Sequence, residues 1–413
     1  MPSTALLANG ATPVAGFSGT PRAGSSPLHV QFTDESSGEP TGWAWYFGDE
    51  DVSGDWTQMT PEAGWSGREG HTVVALPDGS LVLMGGFNVE EFMNDVWRST
   101  DQGATWQRMT DDAEWAPRWG HASVGLRDGS IVLMGGVGYF GPIEGNDVWR
   151  STDHGATWTM MTAEAAWEGR LWHTAVALPD DSIVLMGGGA AYVYGDVWRS
   201  VDYGATWNLM TDSAEWQRRA MHRSVVLPDD SIILLGGIAS HDDDYLNDVW
   251  RSTDDGASWQ QMTASADWQA RVFQGVVALP DGSLVLMGGI DDEAFIRDVW
   301  RSQDHGETWA LVTSDATWTA RFGHATVTLP DGSIVLVGGH DGTGYMRDVW
   351  RLATAGSAEQ HPGHTYLKPG IYQVTLQVSN TSGYSSVRQP GYVTVTEVAT
   401  FRVYLPLALG SKP

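Results

Sequence analysis

The sequence predicts an all-β fold centred on a six-bladed β-propeller, because three features recur six times along the 413-residue chain. Gly-Gly pairs recur every 49 to 52 residues, and an Asp-Val-Trp triplet follows each pair. Two further Trp series share this period, so 18 of the 22 Trp belong to the repeat and not to one binding site. The pairs begin at Gly85, Gly135, Gly187, Gly236, Gly288 and Gly338. Repeats of this kind bury their apolar surfaces against one another.

Each repeat is predicted to form four short strands, as the first complete copy illustrates. Residues 71–76 form the first strand and residues 81–84 the second, and a Pro-Asp-Gly turn of the kind that closes tight hairpins joins them. The second strand is apolar at every position, which is typical of a strand covered on both faces. Residues 95–99 and 105–109 form the third and fourth strands. Four strands in about 50 residues fit radially arranged blades.

The ring is predicted to close with a strand from early in the chain. The last repeat has its first three strands but continues after Arg351 into a stretch without a fourth. Residues 54–59 align with the fourth strand of the first complete repeat, so that Trp56 corresponds to Trp106. Pairing this early strand with the last blade removes exposed sheet edges.

The repeat resembles the kelch repeat, with an Arg before the first strand, an apolar strand ending in Gly-Gly, and a Trp in the fourth strand. A His follows the Arg after three residues in five copies, and Gln274 replaces it in the fifth copy. The Arg series is Arg68, Arg118, Arg170, Arg219, Arg271 and Arg321. The His series is His71, His121, His173, His222 and His324.

The turn between the third and fourth strands resembles the Asp-box of sialidase-like (BNR) propellers. Its first copy reads Ser99-Thr-Asp101-Gln-Gly103-Ala-Thr105-Trp106. The Asp accepts hydrogen bonds from turn amides, the Gly supplies a positive φ, and the Trp anchors the hairpin. Further copies centre on Asp153, Asp202, Asp254 and Asp304. Asp-boxes lie away from the active site in the families that carry them, so the resemblance implies a structural role.

The two flanks together resemble a PKD domain, which is an immunoglobulin-like β-sandwich. Residues 42–49 match its Trp-x-Trp-x-Phe-Gly-Asp motif. Both flanks are needed to complete one sandwich, so we expect the propeller to be inserted after Gly48-Asp49. The predicted divisions are an N-terminal tail at 1–11, the first PKD half at 12–49, the propeller at 50–358, the second PKD half at 359–398 and a C-terminal strand or sorting tail at 399–413. Bacterial and archaeal PKD domains are mostly extracellular spacers or adhesion modules, so the resemblance implies a secreted or cell-surface protein.

Composition narrows the classes of partner. The formal net charge is −28, and nucleic acid and anionic membranes would repel such a chain. No apolar stretch is long enough for a membrane span. Residues 1–16 lack the regions of a signal peptide, so export would need a signal outside this sequence. The chain has no Cys, which excludes disulfides and a copper oxidase that depends on a Cys–Tyr crosslink.

We expect a recognition or surface-assembly protein that is not an enzyme and has no cofactor. The alternative is a sialidase-like glycoside hydrolase, which would hold a substrate carboxylate with Arg. One Arg recurs at the same place in every blade, which favours inter-blade ties to carbonyls or to the Asp of Asp-Val-Trp. The His series could hold a metal ion, but each His is expected to bond its own blade. The acidic run 241–244 could bind Ca²⁺, and a solvated loop is the simpler interpretation.

The loops after the Gly-Gly pairs differ most between repeats and carry aromatic residues. Functional groups concentrate on loops over a rigid scaffold, and aromatic rings suit stacking on sugars or docking a protein. The predicted ligand-binding residues are Phe87, Phe92, Tyr139, Phe140, Tyr192, Tyr194, Tyr245, Phe295 and Tyr345. The alternative is that each ring packs locally and holds its own loop. The expected partner is an extracellular glycan or a protein.

The last segment of the sequence is predicted to form a strand with one apolar face. The alternating apolar residues are Phe401, Val403, Leu405, Leu407 and Leu409. Pro406 confines this strand to the edge of a sheet. One hypothesis is self-assembly by donation of the strand to a neighbouring subunit. The other is a sorting tail, because similar Tyr-Leu-Pro-Leu endings occur on exported proteins of some filamentous bacteria.

Overall fold

The computed structural model describes residues 11–50, 52, 54–138, 145–189, 192–239, 244–380 and 382–397. These residues form strands and no α-helix, which confirms the all-β prediction. Nothing in this part of the chain forms a helix that could cross a membrane. The strands assemble into six four-stranded propeller blades and two further sheets that are built from both ends of the described chain.

The six blades are antiparallel sheets whose strands follow one another in sequence, except at the closure. Blade 1 contains β6 (Thr72–Ala75), β7 (Leu81–Phe87), β8 (Phe92–Ser99) and β9 (Gln107–Thr110). Blade 2 contains β10 (Ala122–Gly125), β11 (Ile131–Met134), β12 (Val148–Ser151) and β13 (Thr159–Thr162). Blade 3 contains β14 (Thr174–Ala177), β15 (Ile183–Met186), β16 (Val197–Ser200) and β17 (Asn208–Thr211).

The remaining blades continue the same order. Blade 4 contains β18 (Arg223–Val226), β19 (Ile232–Leu235), β20 (Val249–Ser252) and β21 (Gln260–Thr263). Blade 5 contains β22 (Gly275–Ala278), β23 (Leu284–Met287), β24 (Val299–Ser302) and β25 (Ala310–Thr313). Blade 6 contains β26 (Ala325–Thr328), β27 (Ile334–Val337), β28 (Val349–Leu352) and the early strand β5 (Thr57–Thr60). The first strands of neighbouring blades contact one another in a closed circle around a central axis.

The strand β5 closes the ring, as predicted. It pairs antiparallel with β28, with Thr57 opposite Arg351 and Thr60 opposite Val349. The indole of Trp56 packs edge-on against Trp318, with ring centroids 6.1 Å apart. The contact between these two rings holds the closing strand in the core between blades 5 and 6.

The fourth strands begin later than predicted. The sequence places the start of the fourth strand at Thr105, but β9 starts at Gln107. The amide of Thr105 donates to Asp101 Oδ1 at 2.8 Å, and its hydroxyl donates to Asp101 Oδ2 at 2.5 Å. These bonds keep Thr105 in the turn, because a backbone bonded to the turn carboxylate cannot also join the ladder.

Apolar cores lie between adjacent blades. The second strand of each blade is buried along its central apolar residues, which confirms that both faces are covered. In the core between blades 1 and 6, Trp65 packs with Val73 and Leu83 of blade 1 and with Val335 and Val349 of blade 6. Burial of such side chains, at about 1.5–3 kcal/mol each, supplies the main stabilisation of the ring.

The two remaining sheets form a β-sandwich from both ends of the described chain. Their strands are β1 (Phe17–Thr20), β2 (Ala23–Ser25), β3 (Leu28–Asp34), β4 (Gly42–Tyr46), β29 (Gly363–Tyr366), β30 (Gly370–Asn380) and β31 (Gly383–Thr396). One sheet has the order β1-β3-β29, and the other has the order β2-β31-β30-β4. Phe32, Trp45, Phe47, Leu376 and Tyr392 are among the residues of the shared core.

The chain leaves and re-enters the sandwich at one point. The amide of Trp45 donates to the Ser357 carbonyl at 2.9 Å, and the amide of Gly356 donates to the Trp45 carbonyl at 2.8 Å. The sandwich also contacts the Pro-Asp turns of blades 5 and 6, since Gln373 Nε2 donates to the Asp281 carbonyl at 2.7 Å and Gln377 Nε2 to the Pro330 carbonyl at 2.6 Å. The described residues that follow the Gly-Gly pairs lie at the opposite end of each blade.

Candidate binding face

The six repeated Arg side chains are structural. Arg68 is fully buried and donates to both carboxylate oxygens of Asp95, at 2.6 and 2.9 Å, and to the Gly85 carbonyl at 2.9 Å. Burial raises the pKa of Asp95, but the hydrogen bonds and charge of Arg68 outweigh it and hold that pKa below its ordinary value. The partners are those the sequence predicts, and the side chain of Arg68 bonds Gly85 and Asp95 of blade 1. Its backbone bonds blade 6, because its amide donates to the Met346 carbonyl at 3.2 Å and its carbonyl accepts from the Gly339 amide at 2.9 Å. Arg68 therefore ties two blades together, as expected.

The repeated His residues join neighbouring blades, which corrects the expectation that each bonds its own blade. His121 Nε2 of blade 2 lies 2.9 Å from the Thr72 hydroxyl of blade 1, and His222 of blade 4 makes the same contact with Thr174 of blade 3. The ring of His121 also lies over Gly85, where a side-chain carbon would stand 2.9 Å from its Cε1. The first Gly of the pair is thus required by the His of the next blade.

A ring of backbone hydrogen bonds surrounds the axis at the end of the blades that carries the Gly-Gly loops. It is formed by the residue that precedes each His or Gln of the series, and each amide donates to the carbonyl of the preceding blade at 2.8–3.4 Å. All six residues have φ between 56° and 64°. They are Gly70, Gly120, Trp172, Met221, Phe273 and Gly323. We call this set the axial ring.

Three bulky side chains break the symmetry of the axial ring. Trp172, Met221 and Phe273 stand in left-handed backbone conformations that glycine adopts freely and bulky residues adopt at a cost. Two of the axial glycines make room for Trp172, because a side-chain carbon would lie 2.9 Å from its indole at Gly70 and 3.2 Å from it at Gly120. Strained residues of this kind cluster at functional sites, so the axial ring marks a candidate site.

Seven partly exposed aromatic rings form a closed circuit that shares Trp172 and Phe273 with the axial ring. Consecutive ring centroids lie 4.6–6.0 Å apart, within the range of aromatic pairing. The members in order are Phe87, Trp119, Trp172, Phe273, Phe322, His340 and Tyr345. We call this circuit and its enclosed surface the aromatic face.

The structure brings four of the predicted ligand-binding residues to this face. Phe87 and Tyr345 belong to the circuit, and Phe92 and Phe295 pack against its rings, with Phe92 5.0 Å from Phe87 and Phe295 5.5 Å from Phe322. Each of the four contacts at least one ring of the circuit. These four side chains therefore pack against neighbouring rings and also belong to one shared surface.

The other predicted ligand-binding residues lie elsewhere or outside the described residues. The Arg170 guanidinium stands 4.2 Å from the Tyr194 ring centre, so Tyr194 packs over the Arg of its own blade. Tyr192 is 77 % exposed, outside the circuit. Tyr245 pairs its backbone with Ile238 in its own loop. Tyr139 and Phe140 lie outside the described residues, as do the assembly-strand residues 401–409.

Sequence reasoning missed Trp119, Trp172, Phe273, Phe322 and His340. The signal was present in the Trp count, because 18 of the 22 Trp fit the repeat and Trp119 and Trp172 do not. The two positions between the Arg and the His vary between blades, apart from the Gly that blades 1, 2 and 6 share at the second position, whereas their neighbours barely change. Positions that break an otherwise strict repeat therefore locate this face better than loop variability does.

Glu69 adds a carboxyl group to the aromatic face. It precedes Gly70 of the axial ring, and its backbone exchanges two 3.0 Å hydrogen bonds with that of Phe87. Glu69 is 9 % exposed, and its Oε2 is buried without a hydrogen-bond partner among the described residues. Burial raises the pKa of Glu69 to about 7. Burial, and after it the charge of Glu69, raises the pKa of Tyr345.

The central channel beneath the face has a volume of about 220 Å³ and is lined by the first strands. Arg223 lies among these residues, and its Nη1 donates to the His222 carbonyl at 3.2 Å. Burial lowers the pKa of Arg223 to about 10. Gln274, the single departure from the His series, belongs to blade 5, which follows the blade of Arg223.

Metal-binding geometry is not found in the described part of the chain. No group of three His, Asp or Glu residues there could hold an ion. Of the acidic run 241–244, only Asp244 belongs to the described residues, and the Ca²⁺ alternative therefore stays a hypothesis.

Comparison with known families accounts for part of the chain. Residues 44–237 match the KLHDC2/KLHL20/DRC7 Kelch-repeats domain. The propeller is similar to kelch propellers. The match runs from β4 of the sandwich through blades 1 to 3 and into blade 4, and the four-stranded sheets of this kelch-like propeller agree with it. No curated protein matches the sequence.

Proposed function

We propose that this chain is a non-catalytic recognition protein that binds a protein partner on the aromatic face of its kelch-like propeller. The observation that carries the proposal is the closed circuit of seven partly exposed aromatic rings that shares Trp172 and Phe273 with the axial ring. Aromatic residues are enriched where interfaces gain most of their binding energy. Kelch similarity also favours a protein partner over a glycan.

The energetic cost of the face supports a role in binding. Trp172, Met221 and Phe273 hold left-handed backbone conformations that cost about 1–3 kcal/mol each. Glycine stands at the equivalent positions of blades 1, 2 and 6, so the ring itself does not need these side chains. A stability cost carried by three partly exposed apolar residues is explained if a partner covers them.

The arrangement of the Arg series supports a non-catalytic role over the sialidase-like alternative. Each of the six side chains is bonded to both oxygens of an Asp in its own blade. A substrate carboxylate would have to displace this Asp, which leaves a buried charge unpaired. None of the six is thus free to hold a substrate.

The turns within the blades and the sandwich beside the propeller complete the proposed function. We identify the Ser-x-Asp-x-Gly turns with Asp-boxes and the sandwich with a PKD domain that acts as a spacer. Two residues of the PKD-like motif make contacts that support this identification, since Trp43 Nε1 donates to Asp34 at 2.8 Å and Asp49 lies 2.9 Å from His364 Nε2. With a PKD spacer and a net charge of −28, a secreted or cell-surface location is proposed.

A peptide-display selection tests this function. A random library of displayed peptides is first selected for binding to the full chain. The affinity of the selected peptides is then measured by titration for the wild type and for the Phe87→Ala and Phe322→Ala variants. We expect at least a tenfold loss of affinity in both, because aromatic truncations at interface centres cost this much. The matched control is Leu311→Ala, since Leu311 is 50 % exposed on the outer strand of blade 5.

Two outcomes would contradict the proposal. Peptides that bind the wild type and both face variants equally would place recognition elsewhere on the molecule. A glycan array that gives binding sensitive to Phe87→Ala, together with no selected peptide, would assign the same face to sugars instead of proteins.

A further inference from the structure

Glu69 is the one acidic side chain that the described structure places within the aromatic face in a buried setting. Its Oε2 approaches the site of a side-chain carbon at Gly323, 3.5 Å away, so the carboxylate points from blade 1 towards blade 6. The loop of Tyr345 lies on the same side, because the Met346 carbonyl accepts from the amide of Arg68 at 3.2 Å. The carboxylate therefore stands at the junction of blades 1 and 6, between Phe87 and Tyr345.

The neighbouring basic groups do not neutralise Glu69. Arg68 is adjacent in sequence, but its guanidinium is bonded to Asp95 and to the Gly85 carbonyl. No ion pair or side-chain hydrogen bond of Glu69 is found among the described residues. The great majority of buried polar atoms in proteins have a hydrogen-bond partner, so an unpaired carboxylate oxygen needs an explanation.

We propose that the aromatic face binds a cationic side chain of its protein partner, a Lys or Arg, between the Glu69 carboxylate and the rings of Phe87 and Tyr345. This inference rests on the proposed function and specifies the chemistry of the partner. An ammonium or guanidinium group is attracted to the faces of aromatic rings and donates hydrogen bonds to a carboxylate. The site offers both groups at one place, since Phe87 and Tyr345 pack edge to face with centroids 6.0 Å apart.

The charge of the whole molecule favours the same ligand. The formal net charge of −28 attracts a basic partner over long distances and repels an acidic one. An acidic segment would also have to bury its charge beside Glu69, which is unfavourable. Burial raises the pKa of Glu69 to about 7, and a cation beside the carboxylate would lower it.

The test uses four small probes, each titrated into the full chain and followed by the fluorescence of the Trp residues and by calorimetry. The probes are N-acetyl-arginine amide, N-acetyl-lysine amide, N-acetyl-norleucine amide and N-acetyl-glutamate amide. We expect the two cationic probes to bind the wild type at least tenfold more tightly than the neutral norleucine probe. We expect no binding of the glutamate probe.

Two variants separate the carboxylate from the aromatic wall. Glu69→Gln keeps the shape and removes the charge, and should abolish the preference for cations. Tyr345→Leu keeps the carboxylate and removes one ring, and should weaken the cationic probes about three- to tenfold while leaving some preference. The matched control is Glu307→Gln, because Glu307 is exposed in a turn of blade 5 and changes the net charge equally.

The outcomes distinguish this inference from the proposed function. Equal binding of cationic and neutral probes, or equal losses in Glu69→Gln and Glu307→Gln, overturns the cation site. Selected peptides that still depend on Phe87 would then leave the proposed function intact. Unfolding of Glu69→Gln, checked by circular dichroism, leaves Tyr345→Leu as the deciding variant, and an unchanged affinity there also overturns the inference.

Discussion

At the scale of single residues, the six-fold repeat separates structural from distinctive positions. The Arg, His and Gly-Gly positions do the same work in every blade, and their partners are fixed by geometry that recurs. The two positions between Arg and His behave differently, because their side chains vary between blades, with glycine at the second position of blades 1, 2 and 6. The residues that are irregular in sequence are the ones that form the aromatic face.

The strain at Met221 can be measured by comparing two substitutions. Met221 has a φ of 58°, where a side-chain carbon is crowded and glycine is not. We expect Met221→Gly to be more stable than Met221→Ala by about 1 kcal/mol in urea unfolding. At Val276, within the extended strand β22, the same pair should have the opposite order, because glycine weakens strand interiors. If the Ala variant is more stable than the Gly variant at Met221 as well as at Val276, the backbone of Met221 is not strained.

At the scale of elements, the blade is a unit whose last strand need not be its neighbour in sequence. β5 joins blade 6 through antiparallel pairing alone, whereas the fourth strands of the other blades follow their third strands across a short turn. The closing blade therefore depends on side-chain packing where the others have a covalent connection.

The role of Trp56 in this closure gives a prediction by proteolysis. Trp56 is 7 % exposed and Trp158, its equivalent in blade 2, is 5 % exposed, so either change to Ala removes a buried indole at a cost of about 3–5 kcal/mol. We expect only Trp56→Ala to release β5 and to admit rapid cleavage at residues 54–62, as read by mass spectrometry. Cleavage at the same residues in Trp158→Ala at an equal rate would show that the closing strand is no weaker than the rest.

Much of this architecture could be predicted from sequence, and the reasons lie in particular elements. The closure followed from the alignment of Trp56 with Trp106, because a repeated core position needs the same side chain in every blade. The partner blade of each His could not be predicted, since a strict repeat offers the same partner residues in the blade of the His and in the neighbouring blade. The role of Trp172 in the aromatic face could not be predicted either, because it depends on the backbone φ of Trp172 and on the neighbouring glycines of the axial ring.

At the scale of the whole molecule, five buried imidazoles should make the fold sensitive to acid. Burial lowers the pKa of His71 and His173 to about 3 and places those of His121, His222 and His324 well below the ordinary value. Below pH 6.5 the unfolded chain therefore takes up protons that the folded chain refuses. Each such His lowers stability by about 1.4 kcal/mol per pH unit, and Glu69, whose folded pKa is raised, offsets one of them between about pH 7 and 4.5.

The sequence supplies its own control for this prediction, because Gln274 replaces the His in blade 5. Urea unfolding at pH 7.5, 6.5, 5.5 and 5.0 should show a steep fall in stability below pH 6.5. His324→Gln, which copies blade 5, should reduce the slope by about 1.4 kcal/mol per pH unit. A slope that the variant leaves unchanged would mean that His324 titrates normally in the folded protein.

The hydrogen bonds between Trp45 and the Gly356–Ser357 segment have a mechanical consequence. They join the two crossings of the chain into the propeller, so a pulling force along the chain need not pass through the blades. Such a tension would load β2 and β31, which run parallel with Ala23 opposite Thr394 and Ser25 opposite Thr396. Pulling residue 11 away from residue 397 slides these strands along each other, and their ladder bonds resist together instead of opening one by one. The propeller and its aromatic face would not carry this force and would keep their shape while the sandwich is under tension.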